Sequence, residues 1–178
     1  MIKHKFVFIF VFILLFMVGI GEIYCAPDTK TQTSTVTLNI PDSAKLDITS
    51  ANVTKTLNQG TDTETAFDNG YVDFEMATPT LTVSANKSWK LSARSSNFVG
   101  PYSKSVSDLK LKDLGPSHVT NSFDDFKSLS LTDQEIASYA GPVKKESHYI
   151  QYRILLDWTK DIAGTYVANV TYTLATQP

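Results

Sequence analysis

The chain has 178 residues, 42% of them hydrophobic and 11% aromatic, with 16 Lys and Arg against 18 Asp and Glu for a formal net charge of −2. Interspersed charges in near-equal number give no basic surface for nucleic acid and no strong pull toward an anionic membrane. The single cysteine is Cys25, so a chain cleaved behind it has no disulfide, thiol nucleophile or cysteine-based metal site, and packing must supply its stability.

At the N-terminus Lys3, His4 and Lys5 precede an apolar run over 6–20, interrupted only by Gly19. That run has the length of a signal-peptide core and falls short of the roughly 20 residues a membrane span needs. A signal-peptide helix over 1–25 is therefore expected, with cleavage after Cys25 or Ala26. A retained anchor and lipidation of Cys25 are the alternatives. A flexible Thr-rich lead-in follows at 26–35, then one domain over 36–178, long enough for a single core.

The remainder reads as strands. Val36, Leu38 and Ile40 alternate with Thr35, Thr37 and Asn39 up to Pro41. Leu46 and Ile48 form a second short stripe. Val72, Phe74 and Met76 follow Asn69-Gly70, a turn signal. Leu81, Val83 and Ala85 are succeeded, across an Asn86-Lys87 turn, by Trp89, Leu91 and Ala93, and later by Leu109 and Leu111. The stretch 98–141 is the least regular, with three Gly-Pro pairs and a helical turn expected over 132–139 from the capping-box spacing of Thr132 and Glu135. The longest stripes come last: Ile150, Tyr152, Ile154, Leu156 and Trp158, then Tyr166, Ala168, Val170, Tyr172 and Leu174. A loop over 159–164 should join them as a hairpin near the sheet centre. A strict period of two buries one face and wets the other, as in antiparallel sheets. The expected fold is an all-β, immunoglobulin-like antiparallel β-sandwich of about 7–9 strands.

Two segments resemble a known family. Asn86-Lys87-Ser88-Trp89-Lys90-Leu91-Ser92 followed by Phe98 is similar to the first Trp-x-Leu signature of WxL-type cell-wall-binding domains. Ala163-Gly164-Thr165-Tyr166, leading to Val170-Thr171-Tyr172-Thr173-Leu174, resembles that family's closing segment, with Tyr172-Thr173-Leu174 in place of the second Trp-x-Leu. The likeness spans 81–178 and extends to a looser class of secreted bacterial Ig-like proteins, some pilin-like. It implies a secreted all-β module of Gram-positive bacteria that binds peptidoglycan or wall polysaccharide non-covalently. The ligand-binding candidates on this reading are Trp89, Leu91, Tyr172, Leu174, Phe98 and Tyr102. Read as residues alone, Trp89 and Tyr172 are equally core keystones, since large aromatics dominate cores. The Gly164-Thr165-Tyr166 entry also resembles a tyrosine corner.

No enzyme apparatus is visible. His118 reads as solvated and His148 as a sheet-edge or partly buried residue. There is no nucleophile elbow, His-Glu-x-x-His or phosphate loop. Asn121, Asp124 and Asp125 lack the spaced oxygen ligands of a calcium loop, and Asp157 and Asp161 read as ordinary turn acids. No metal, no cofactor, no nucleic-acid partner and no membrane contact after cleavage are expected. Three functions stay open: wall binding through exposed aromatics, with Phe98, Tyr102, Phe123 and Phe126 as unassigned rings; a pilin-like or surface-layer subunit using 33–40 or 168–174 as a donated strand that binds other surface-protein subunits; and a secreted hydrolase. Each places the protein outside the cell or on its surface.

Overall fold

Alternating stripes become two antiparallel sheets because each strand can hide its apolar side only by facing another stripe. The structure is a computed structural model, and it describes residues 32, 34–74 and 79–178. The expected signal peptide over 1–25 and most of the lead-in over 26–35 lie outside the described residues.

In chain order the elements are β1 (Ala44–Thr49), α1 (Thr61–Asn69), β2 (Tyr71–Asp73), β3 (Thr80–Ala85), β4 (Trp89–Ser95), β5 (Leu109–Asp113), β6 (Thr120–Asn121), β7 (Lys127–Ser128), β8 (Gln134–Tyr139), β9 (Val143–Leu155) and β10 (Val170–Thr176). One sheet runs β1-β3-β9-β5-β7, with β2 also pairing to β9; the other runs β10-β4-β8-β6. The expected all-β sandwich is thus present, with ten strands among the described residues, two of them only two residues long. The stripes Leu81/Val83/Ala85, Trp89/Leu91/Ala93, Leu109/Leu111 and Ile150/Tyr152 all point inward. Together with Phe98, Phe123, Leu129 and Ile136 they form one core shared by both sheets.

Several expectations are corrected. Val36, Leu38 and Ile40 form no strand; the first strand among the described residues is β1, and residues 34–40 carry no regular secondary structure. Asn69-Gly70 is a helix end, not a hairpin turn: Gly70 takes the left-handed conformation (φ 75°) and its N–H reaches back to the carbonyls of Ala66 and Phe67. Only glycine adopts that cap without a Cβ penalty. Asp62 and Glu64 in the first turn of α1 complement its dipole, a signal the strand pattern masked.

The helical turn over 132–139 is instead β8, whose Ile136 and Ala137 are both buried beside β4. A register shift at Leu91/Ser92 lets consecutive residues face inward there. Pairing β4 outweighs a capping signal of about 1 kcal/mol. The closing hairpin is also absent. β9 and β10 belong to opposite sheets, because period-two apolar spacing fixes which face is buried but not which strand lies alongside. Trp158 leaves the stripe altogether: it is exposed, stacks on Phe67 with ring centroids 4.6 Å apart, and donates from Nε1 to Asp68 Oδ1 at 3.1 Å.

Residues from Ile40 onward form one compact unit. Among the described residues, no helix is long and apolar enough to cross a membrane.

Candidate functional site

The six residues singled out from sequence fall into two groups. Leu91 pairs directly with Leu174 and Ala93 with Tyr172, because β10 lies antiparallel along β4. The two family-like motifs are therefore neighbouring strands. Trp89 and Leu91 have no solvent exposure and Phe98 is buried, while Tyr172 and Leu174 are half-buried against the core. Tyr102 lies in the loop following β4 and is exposed. Of the unassigned rings, Phe123 is buried, and Phe126 packs beside the Arg153 guanidinium at 4.1 Å.

Trp89 stands edge-on to His148, with ring centroids 5.7 Å apart. His148 is not at a sheet edge or partly exposed: it lies fully buried on β9, with Nδ1 2.7 Å from Asp113 Oδ2 on β5. The acid on the adjacent strand is what makes imidazole burial tolerable, since buried polar groups cost several kcal/mol unless paired. Gly115 closes over the pair, where a Cβ would lie 2.8 Å from His148 Nδ1. Sealed from solvent, this pair is a packing element. Nearby, the hydroxyls of Tyr152 (β9) and Tyr172 (β10) bond one another across the two sheets. Burial pushes Tyr152 up to about 12, and for the same first cause Tyr172 is raised well above its ordinary value.

The outer face carries a second cluster. Arg153 makes a two-pronged bond to Asp73 (2.6 and 2.8 Å) and lies 3.8 Å from the Tyr71 ring. The Asp73 bond raises the guanidinium further above its already high ordinary value. A cleft of about 360 Å³ beside it is lined by Asp73, Phe74, Phe126, Gln151 and Tyr152. Its one carboxylate is already engaged by Arg153. His118 is exposed as expected, yet lies 3.1 Å from Glu146 and edge-on to Tyr139. Asn121 spends its amide on the Asp113 carbonyl and the Phe123 N–H. Among the described residues, no three His, Cys, Asp or Glu side chains converge as metal ligands.

What remains unsatisfied is an edge. β10 pairs on one side with β4 and has no ladder partner on the other among the described residues. Its inward residues Val170, Tyr172 and Leu174 are only half covered. β1, the edge strand of the opposite sheet, lies beside it and leaves Ile48 exposed. An open edge with alternating half-covered apolar side chains is a ready template for another strand. The chain also carries an exposed alternating segment. Val36, Leu38 and Ile40 are 89%, 78% and 71% exposed, alternating with polar Thr35, Thr37 and Asn39. Sequence reasoning named both segments without showing that either lacked a partner; that requires knowing the sheet order.

No family model matches the chain, and no curated protein matches it. Among solved structures, one chain of a chaperone–usher pilus structure is similar at a TM-score of 0.37 and 12% identity, over 85% of this chain and 98% of its own. A likeness of that size carries no argument about function.

Proposed function

We propose that the protein is a surface-assembly subunit in which residues 34–40 of one copy add as a strand to the open edge of β10 in another. The observation that carries this reading is the exposed alternation of Val36, Leu38 and Ile40, a strand pattern without a sheet. Fully burying each such side chain contributes about 1.5–3 kcal/mol, and each new backbone hydrogen bond about 0.5–1.5 kcal/mol net. Ordering the segment opposes this by about 1–2 kcal/mol per residue, so the exchange is favourable only when the apolar stripe docks in register. The secretory leader expected from sequence fits such a role outside the cell.

Light scattering on a sizing column across a concentration series tests it. The protein should form polymers that vanish when residues 34–40 are deleted. A wild-type protein that stays monomeric at its highest soluble concentration would end the reading.

A second reading, non-covalent attachment to peptidoglycan or wall polysaccharide, has Tyr102 as the exposed member of its candidate set. Sedimentation with insoluble peptidoglycan, beside a Tyr102→Ala variant, tests that role.

A further inference from the structure

The donated segment has a fixed root. Asn86 in the β3–β4 turn holds the residues just after the segment: its Oδ1 accepts from the Ser43 N–H at 2.8 Å, its Nδ2 donates to the Pro41 carbonyl at 2.8 Å, and its own N–H donates to Ser43 at 3.1 Å. Lys87 pairs with Asp42 at 3.0 Å. Ile40 is therefore the first residue beyond a clamp, about 3.5 Å of chain from the body. Wherever the segment docks, the donating body follows almost at once and must touch the acceptor at one end of β10.

The two ends of β10 differ. At its C-terminal end Thr176 pairs with Trp89, and Gln177 bonds Ser88 through main chain and hydroxyl; this end is polar and adjoins the Asn86 root. At its N-terminal end the ladder runs on into two loops, where Val99 and Val167 exchange backbone bonds at 2.8 and 2.9 Å. Those loops expose Val99 beside its bridge partner Val167, and carry Tyr102 and Ile162 as further exposed apolar side chains, a clustering of apolar surface of the kind that marks an interface. They are also locked. Lys104 and Asp161, both buried, bond at 2.8 Å to each carboxylate oxygen, and the Tyr166 hydroxyl donates to the Ile162 carbonyl at 3.0 Å. Pro101 sits so close over Gly164 that a Cβ there would lie 2.5 Å from its ring. The patch is a preformed surface, continuous with the β10 edge.

Resting on the strand-donation reading, we infer that the Val99–Tyr102–Ile162–Val167 patch seats the body of the donating copy, and that the donated segment therefore runs antiparallel to β10. In that direction Ile40 meets Val170, Leu38 meets Tyr172 and Val36 meets Leu174, so every apolar residue continues an inward stripe. Root and seat lie at opposite ends of β4, a strand of seven residues and thus about 23 Å long. The contact is head-to-tail, so it joins the root of one copy to the seat of the next and does not give a two-fold dimer. A segment folding back onto its own β10 would start at the root end and run parallel.

Cysteine pairs in the full chain, in a Cys25→Ser background, read the direction. Asn39→Cys with Thr171→Cys should give disulfide-linked ladders on a non-reducing gel, and Thr35→Cys with Thr171→Cys should not. Val99→Glu and Ile162→Glu, made at exposed side chains and checked for unchanged melting, should weaken assembly at least about tenfold, the effect of losing one buried aliphatic contact. Polymers that crosslink through the 35/171 pair, or that ignore both glutamates, overturn the seat while leaving strand donation standing. A monomer crosslinked internally through 35/171 shows self-closure and overturns the seat as well. A monomer that crosslinks through neither pair removes both readings.

Discussion

Replacing Trp89 with alanine removes the largest of the side chains that have no solvent contact. A buried indole withdraws about 150–250 Å² from water, which at ~25 cal/mol per Å² corresponds to about 4–6 kcal/mol. Alanine keeps part of that surface, and truncations of this class cost about 3–5 kcal/mol. Its Nε1 has no hydrogen-bond partner among the described residues, so the loss is one of packing alone: the edge contact with His148 and the wall over the Asp113 pair. A cost of this size is a large fraction of the roughly 5–15 kcal/mol that holds a domain together. Urea unfolding followed by far-UV circular dichroism measures it, with Trp158→Phe as the surface control. Acrylamide quenching separates the two indoles, since Trp158 is exposed and Trp89 is not. A Trp89→Ala cost below about 1 kcal/mol with an unchanged denaturant slope would refute the core assignment and return the ring to the list of ligand contacts.

The tyrosine pair predicts an alkaline limit. Tyr152 is held at about 12 by burial against about 10 in an unfolded chain, so the folded state keeps its proton longer. Its contribution is complete below pH ~10 and is lost as pH rises toward 12, about 3 kcal/mol for a shift of this size. Unfolding titrations between neutral and strongly alkaline pH should show the decline, and Tyr152→Phe should reduce it, leaving the part that belongs to Tyr172; an unchanged slope in the variant would contradict the assignment. The buried Lys104–Asp161 pair predicts an asymmetry. Lys104→Met strands a buried carboxylate and should cost about 3–5 kcal/mol, while adding Asp161→Leu should recover much of that. Thermal melting of the three proteins compares them, and equal losses in the single and double variants would rule out a desolvation origin.

The stripes at 81–85, 89–93, 109–111 and 150–152 were legible because alternation states directly which side chains face inward, and each is buried, with Ile154 partly covered at the end of the last. Trp89 and Leu91 were readable as core for the same reason. The helix α1 was not, because its strongest marker, Asn69-Gly70, also marks hairpins and its apolar content is small. His148 could not be placed from sequence, since its burial depends on Asp113, which is brought to it by the pairing of β5 with β9. Asp161 was read as a turn acid, yet it is buried by a lysine distant in sequence.

By itself the sequence determined the all-β class, the inward faces of the long strands, and the presence of two alternating segments at 33–40 and 168–174. Those features depend on local periodicity, which every residue carries with it. Tertiary structure alone decided that β9 and β10 lie in different sheets, that β10 has no second ladder partner among the described residues, and that Val36, Leu38 and Ile40 are paired to no described strand. Strand order and edge vacancy depend on which distant segments compete for the same hydrogen bonds, and a one-dimensional pattern contains the bonding groups without recording where they are spent.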